Sequence, residues 1–590
     1  MKRIVKRMFA KRRYFLVALL FTMAVSVAAL SRMLQRKAVL SERSILLRTN
    51  VVDRDRSSSV RDDVLPCEAV DGNDVGLQNG APAAARLPVA RDVRVHEPWP
   101  EVQRKVKNSA QMFETVHLLW CGKKILELRH YLSILSVFRV VQPLKIVMHY
   151  TDLPRTNGYH SWFREMNNSL PNLEMQLLPQ GFSCDSKNML MTALDFLSQS
   201  GGVYIGENTI LSRFPEDAEQ ELFWSACSNA SYPAEYTVMF ASRAFNASKK
   251  ETFLQSVLSR NKMCPKAESY NSTDMQRPEC LILDKTIFPR DFWRADTPFA
   301  EFARWLFYGK RAAVCVEREG EPIPRISHYV RIYCANDTLY ANEMAFAHFL
   351  SVLSALYIGG FERVYVHGDV EPEGPLWKEL LKENVTFVKA IVPETVYQQN
   401  VNRTVHKSDL TRYFILNKYG GAYQDWDVIW VQRVPDWLLT FPAILSRDWQ
   451  TLGWPDNLNN GVMLTRPRSH WLHHFLATHR VFRDSLWGYN SLMMSYRTVE
   501  LYPRTIYIDD RLQVLCHRGH CHPVWMPGRN YGKGLGEPEV LLQDARAVHV
   551  THPDPPPSLI SLDDTRKGRD LYATMGRLVL ERSGRRYMLE

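Results

Sequence analysis

From about residue 116 the chain alternates short apolar runs with longer segments of helical apolar spacing. VHLLW (116–120), LKIVMHYTD (144–152) and ERVYVHGD (362–369) have the length and β-branched content of buried strands. HYLSILS (130–136) and HFLSVLS (348–354) repeat apolar residues on one helical face and each leads into a strand. This order predicts an α/β fold whose mainly parallel sheets are covered by helices. Such sheets bind ligands at the carboxyl ends of their strands. Residues 31–110 are different: polar, poor in aromatics, with SSS at 57–59 and APAAA at 81–85, as expected of a stem.

The pattern also repeats. HYLSILS matches HFLSVLS at an offset of 218, and Gly201-Gly202-Val203-Tyr204 matches Gly420-Gly421-Ala422-Tyr423 at 219. Two separated matches at nearly one offset, in the same helix–strand order, predict two tandem copies of one α/β unit. The copies differ in chemistry. Residues 406–431 read HKSDLTRYFILNKYGGAYQDWDVIWV, ending near Asp425-Trp426-Asp427, whereas residues 187–212 read KNMLMTALDFLSQSGGVYIGENTILS, with Gly206-Glu207-Asn208 at that place.

Charge locates the chain more than it describes it. Ten Lys and Arg lie in residues 1–37 without one acid, and removing them from the net +11 leaves about +1, which excludes a basic nucleic-acid face. They bracket residues 14–30, an uncharged run at the short end of the roughly 17–25 residues that a spanning helix needs. With seven basic residues before it and three close behind, the run is read as a signal anchor with a cytoplasmic N-terminus. A cleaved signal peptide is the alternative, but the run is long for one. Seven Asn-X-Ser/Thr sequons (Asn167, Asn229, Asn246, Asn271, Asn336, Asn384, Asn402) and ten scattered cysteines without a CxxC pair fit a lumenal body with disulfides, Cys516 and Cys521 being one candidate loop.

The second copy carries the candidate chemistry. Asp425 and Asp427, at i and i+2 of an extended segment, would present their carboxylates on one side. Two hard oxygen ligands suit Mg²⁺ or Mn²⁺ bound together with substrate phosphates. Asp409 and Arg412 share a helix face; beyond a surface ion pair, Arg412 is read as contacting sugar or diphosphate and Asp409 as orienting it or the sugar hydroxyls. The first copy has Leu190 and Ala193 instead, and loses the aspartates too. Joint loss of four polar residues marks a lapsed site.

The stretch from Ser408-Asp409-Leu410-Thr411-Arg412 through Lys418-Tyr419-Gly420-Gly421-Ala422-Tyr423-Gln424-Asp425-Trp426-Asp427 resembles the DXD sugar-binding region of glycosyltransferases. It is most similar to the family of eukaryotic α1,4-galactosyltransferases, α1,4-N-acetylglucosaminyltransferases and initiating α1,6-mannosyltransferases. LNNGVM (458–463), LWGYN (486–490) and AVHV (547–550) resemble later segments of that family, in order. The resemblance implies a GT-A fold and retaining transfer from a nucleotide sugar, usually with Mn²⁺. It makes Asp425 and Asp427 metal and diphosphate ligands, with Tyr423 and Arg412 beside the donor. His549 becomes a third metal ligand or a structural histidine, with His552 its competitor. Asn460 and Asn490 would bond sugar hydroxyls or serve turns, and Trp454 and Trp487 would stack on a sugar or pack in the core. Trp426 and Thr551 depart from the family pattern, and the bulky Trp426 should point away from the metal.

The expected organisation is therefore a cytoplasmic tail (1–13), an anchor (14–30), a stem (31–110), a degenerate GT-A-like domain (111–310) and a catalytic GT-A domain (320–590). The expected activity is a Golgi type II glycosyltransferase using UDP-galactose or UDP-N-acetylglucosamine on a glycan acceptor. GDP-mannose transfer and non-catalytic glycan binding are the alternatives. A glycoside hydrolase is disfavoured, because its two carboxylates must flank a bond about 5–9.5 Å apart.

Overall fold

The apolar run at 116–120 forms strand Thr115–Trp120, the centre of a six-stranded sheet. The computed structural model describes residues 65–66 and 113–590, apart from 228–232, 260–261, 270–277, 317, 319, 333–341, 449–453, 516–544, 551–560 and 569–570. The expected tail and anchor, nearly all of the stem, three of the sequons (Asn229, Asn271, Asn336), Cys516, Cys521, Thr551 and His552 lie outside the described residues. Among the described residues no helix is long and apolar enough to cross a membrane. The four described sequon asparagines, Asn167, Asn246, Asn384 and Asn402, are all exposed.

Two mixed sheets organise the body. In the first, Leu173–Leu177, Lys145–Tyr150, Thr115–Trp120 and Gly202–Ile205 run parallel, and Thr237–Ala241 and Phe223–Cys227 follow antiparallel. In the second, Val385–Lys389, Arg363–Gly368, Ile326–Arg331 and Gly421–Gln424 run parallel; Leu458–Thr465 and Ala443–Arg447 follow antiparallel, with Tyr507–Ile508 at the edge. Strand order and direction agree position for position over six strands. Each sheet keeps the expected parallel run over four strands and becomes antiparallel on one side only, where the fifth strand reverses direction.

Local details repeat as well. Helices Ser186–Ser200 and Thr404–Tyr419 both end in a Gly-Gly pair with positive φ: 73° and 108° at Gly201 and Gly202, 65° and 94° at Gly420 and Gly421. A Cβ on Gly202 would lie 2.5 Å from the Thr115 carbonyl oxygen, and one on Gly421 2.6 Å from that of Ile326. Glycine is what lets each strand enter beside the first strand of its sheet. His117 Nδ1 meets His149 Nε2 at 3.0 Å, and His328 Nδ1 meets His367 Nε2 at 3.0 Å. Burial pushes His117, His149 and His328 down to about 4 and His367 to about 3, so each pair is neutral and joined by one proton. Ser136 accepts from the Leu211 amide (2.9 Å) and Ser354 from the Trp430 amide (3.0 Å), tying a helix to the strand after each Gly-Gly segment.

One apolar core runs from Phe113 to Leu580 through both sheets, so the halves are separable in sequence but not in packing. Polar contacts seal the junction. The Tyr159 hydroxyl donates to Glu500 Oε1 (2.6 Å), the Tyr308 hydroxyl to the Glu500 carbonyl (2.7 Å), and Arg497 to the Tyr159 carbonyl. Arg497 lies 3.0 Å from Glu500 Oε2 and stacks on Trp162 at 4.0 Å. Burial pushes the Glu500 carboxyl up to about 7 from 4.5, against the pull of Arg497. The folded protein therefore holds a proton that the unfolded chain releases, and stability should fall as pH rises from about 4.5 to about 7. Glu500→Gln should flatten that slope in urea midpoints measured across the range. An unchanged slope would assign it to other groups.

Candidate active site

Asp425-Trp426-Asp427 lies on a turn between strands Gly421–Gln424 and Val428–Trp430, closed by the Val428 amide on the Asp425 carbonyl (3.3 Å). This corrects the expected extended segment. The carboxylates nevertheless converge, because strand Ala547–His549 pairs with Val428–Trp430 and delivers His549 opposite them. His549 Nε2 is 3.1 Å from Asp427 Oδ1 and 3.8 Å from Asp425 Oδ2. One ligand atom from each of the three residues lies within 4.8 Å of the other two.

His549 is aimed by its other nitrogen. Nδ1 donates to Gln513 Oε1 (2.9 Å), whose Nε2 donates to Asn459 Oδ1 (3.0 Å). Asn459 Oδ1 also accepts from the Gly461 amide (2.6 Å), and its Nδ2 donates to Asp448 Oδ2 (3.1 Å). Burial would lower the affinity of His549 for a proton, but the charge and hydrogen bond of Asp427, then Asp425 and Asp448, raise it overall. The pocket thus attracts positive charge. Two carboxylates plus an imidazole with a fixed tautomer fit a divalent cation.

Gly461 makes this possible by having no side chain. A Cβ there would lie 2.2 Å from His549 Cε1, 2.7 Å from Nδ1 and 2.8 Å from Asn459 Oδ1. Gly461→Ala should displace the imidazole, weaken Mn²⁺ binding more than tenfold by calorimetry and cost about 1–3 kcal/mol in stability. Unchanged metal affinity would remove His549 from the ligand set.

Arg412 and Asp409 prove to be buried supports, in contrast to the expected contact with sugar or diphosphate. Arg412 is 6 % exposed. Its Nη1 donates to the Asn460 carbonyl (2.9 Å) and lies 3.3 Å from Asp425 Oδ1; its Nη2 is 3.1 Å from Asp409 Oδ1. The guanidinium stacks on Tyr423 at 4.1 Å. Burial opposes its charge, yet Asp425, Tyr423 and Asp409 hold its pKa above the ordinary value, while burial raises that of Asp409 despite Arg412. Tyr423, expected at the donor, is 1 % exposed and donates to Asp425 Oδ1 at 2.6 Å. Asp425 is thereby gripped through Oδ1, leaving Oδ2 toward His549.

The remaining candidates separate. Asn460 donates to the Tyr413 hydroxyl (2.7 Å) below Arg412, inside the cluster but buried. Asn490 accepts from the Arg483 amide (2.9 Å) and donates to its carbonyl (3.0 Å), a turn role that occupies both ends of its amide. Trp454 is core, 5.3 Å from Tyr159, whereas Trp487 is 61 % exposed. Trp426 turns away from the carboxylates, donates to the Val330 carbonyl (2.8 Å) and packs on Tyr329 and His348. Sequence reading missed Gly461, Asn459 and Gln513. The first two sat inside the LNNGVM segment already singled out, but Gln513 carries no local signal.

The first half has the same turn without the same chemistry. The Thr209 amide bonds the Gly206 carbonyl (3.0 Å), and Lys124 Nζ lies 2.6 Å from Glu207. Burial raises the Glu207 carboxyl, with Lys124 opposing. Leu190 and Ala193 are fully buried where the second half has Asp409 and Arg412.

Residues 364–442, which include the aspartate turn, match the family described as "Glycosyltransferase sugar-binding region containing DXD motif". The chain therefore carries a glycosyltransferase sugar-binding region on a mixed α/β fold with parallel, Rossmann-like cores. A relative from Cryptococcus neoformans var. grubii, "Glucan organizing enzyme 1", is 26 % identical over 215 residues, 35 % of this chain and 57 % of that protein. The chain thus spans little more than half the length of that relative. Mouse xyloside xylosyltransferase 1 is 14 % identical with a TM-score of 0.27, over 40 % of this chain and all of that one. The WbbM bifunctional glycosyltransferase is 9 % identical with a TM-score of 0.30, over 80 % of this chain and all of that one.

Proposed function

We propose that this protein is a metal-dependent glycosyltransferase that moves a hexose from a nucleotide sugar to a glycan acceptor. The observation that carries the reading is the convergence of His549 on Asp425 and Asp427, the two aspartates of the matched DXD region. These three residues would hold Mn²⁺ or Mg²⁺, which when bound supplies charge neutralisation for a diphosphate leaving group. The chain's own work is positional. Arg412 and Tyr423 fix Asp425, Gln513 fixes the His549 tautomer, and Gly461 leaves room for the ring. A preset electrostatic site of this kind favours the charge that develops as the donor bond breaks.

The sequence resemblance favours UDP-galactose or UDP-N-acetylglucosamine as donor and retention at the anomeric carbon. GDP-mannose is the second reading on the same resemblance, and the name of the fungal relative adds UDP-glucose to the set worth assaying. The basic-flanked run at 14–30 and the exposed sequons favour a Golgi type II setting, with the body lumenal. The matching strand orders, histidine pairs and serine ties support descent of the first half from a duplicated catalytic unit, retained to support the second.

The test is nucleotide-sugar hydrolysis by purified protein with the four donors, Mn²⁺ or Mg²⁺, and excess EDTA. One donor should be cleaved, with activity abolished by EDTA and restored by metal. Cleavage that persists in EDTA would overturn the metal-dependent reading, and no cleavage of any donor would favour glycan binding alone.

A further inference from the structure

Trp487 is a large aromatic side chain that stays outside the core. It is 61 % exposed and follows Leu486, itself 46 % exposed, on a surface loop. The loop is nevertheless firmly held. The Asp484 carboxylate accepts from the Asn402 and Arg403 amides (3.1 and 3.5 Å) and meets His406 Nδ1 at 2.8 Å. His406 Nε2 bonds the Trp487 carbonyl (3.3 Å), and Asn490 clamps both backbone groups of Arg483. His406 is 1 % exposed, so the anchor is built into the core. The Trp487 backbone is therefore fixed while its indole stays open to solvent.

A second exposed ring belongs to the same rim. Strands Thr395–Val396 and Gln399–Asn400 form a hairpin whose turn, Tyr397 and Gln398, has φ of 45° and 66°. Positive φ at both central residues is what a two-residue hairpin turn requires, so the Tyr397 backbone is fixed by the hairpin. Tyr397 is 49 % exposed, with Arg480 over its ring at 5.5 Å. Gln399 ties the hairpin to the loop by donating to the Arg480 carbonyl (3.0 Å) and accepting from the Phe482 amide (3.1 Å). Hairpin and loop are therefore one unit.

The location decides the ligand. His406, Asp409 and Arg412 follow one another at three-residue spacing on helix Thr404–Tyr419, along roughly 9 Å of axis. Arg412 touches Asp425, so the backbone that carries Trp487 is anchored less than two helical turns from the residue that grips the carboxylate turn. An exposed aromatic face beside a sugar-transfer centre suits the apolar C–H face of a pyranose, which stacks on a ring without needing charge.

We propose that Trp487 is the acceptor platform, stacking the sugar next to the one that receives the transfer, and that Tyr397 extends it to longer glycans. The proposal rests on the transferase reading above and is tested apart from it. Saturation-transfer NMR would be run on the wild type and Trp487→Ala with methyl glycosides of glucose, galactose, mannose and N-acetylglucosamine and with short glucan and mannan oligosaccharides. At least one glycan should bind the wild type, and its affinity should fall about tenfold in Trp487→Ala and return largely in Trp487→Phe. In the transfer assay with that glycan, acceptor KM should rise about tenfold while donor KM does not move. Tyr397→Ala should raise KM for oligosaccharides and not for the methyl glycoside. Equal binding by wild type and Trp487→Ala, binding of none of these glycans, or a joint rise in donor KM would overturn the platform. Absence of donor hydrolysis in the wild type would instead count against the transferase reading, with the NMR result still deciding whether Trp487 binds sugar.

Discussion

Asp427→Asn is expected to lower metal-dependent sugar release by more than about 100-fold while leaving the fold intact. Residues that merely orient a metal ligand are worth about 10–100-fold, and Asp427 is a ligand candidate in its own right, 3.1 Å from His549 Nε2. The amide keeps the shape of the turn but gives up the charge that the site presents to a cation. The Asp427 side chain is 28 % exposed, so little packing is disturbed. Two measurements check this together: initial rates of nucleotide-sugar hydrolysis across a Mn²⁺ titration, and the thermal midpoint. Full activity at saturating Mn²⁺ would show that the carboxylate is dispensable and would return the turn to a structural role.

Arg412→Ala is expected to be the most destabilising single change in the site, by about 3–5 kcal/mol. Removing one partner of a buried ion pair leaves the other charge uncompensated. Here two carboxylates are left, Asp409 and Asp425, together with the Asn460 carbonyl and the face of Tyr423. Lysine should recover little, since one ammonium cannot span groups that a planar fork reaches at once. Urea midpoints would measure the loss. A shift under 1 kcal/mol would mean that Asp409 is already neutral in the folded protein, in keeping with the upward push of burial on its carboxyl. Metal affinity should fall with stability, because Asp425 loses its anchor.

Much of the frame was readable from the apolar pattern. The strands expected at 116–120, 144–152 and 362–369 and the helices at 130–136 and 348–354 are present, as is the Gly-Gly entry to each later strand. His549 lies with the aspartates from some 120 residues downstream, in the AVHV segment that the family resemblance singled out. What stayed hidden were relations between distant segments. Helical spacing put Asp409 and Arg412 on one face but could not say that the face is buried under Asp425. A period-two argument placed both aspartates on a strand, where the chain instead turns. Gly461 acts through a volume it leaves empty, and only a folded neighbour defines an empty volume. Gln513 has no motif around it and gains meaning from the two atoms it joins.

The Lys124–Glu207 pair in the first half has a consequence for how the protein answers its surroundings. There a lysine side chain meets the turn directly, whereas in the second half Arg412 grips Asp425 through Oδ1 and leaves Oδ2, Asp427 and His549 facing one another. A chelator can therefore empty one half and has no hold on the other. On the metal-dependent reading proposed above, metal depletion should silence the enzyme while the first sheet and the junction around Arg497 stay folded. Readdition should restore it as fast as the ion binds. On that reading, the first half keeps the frame to which the ion returns.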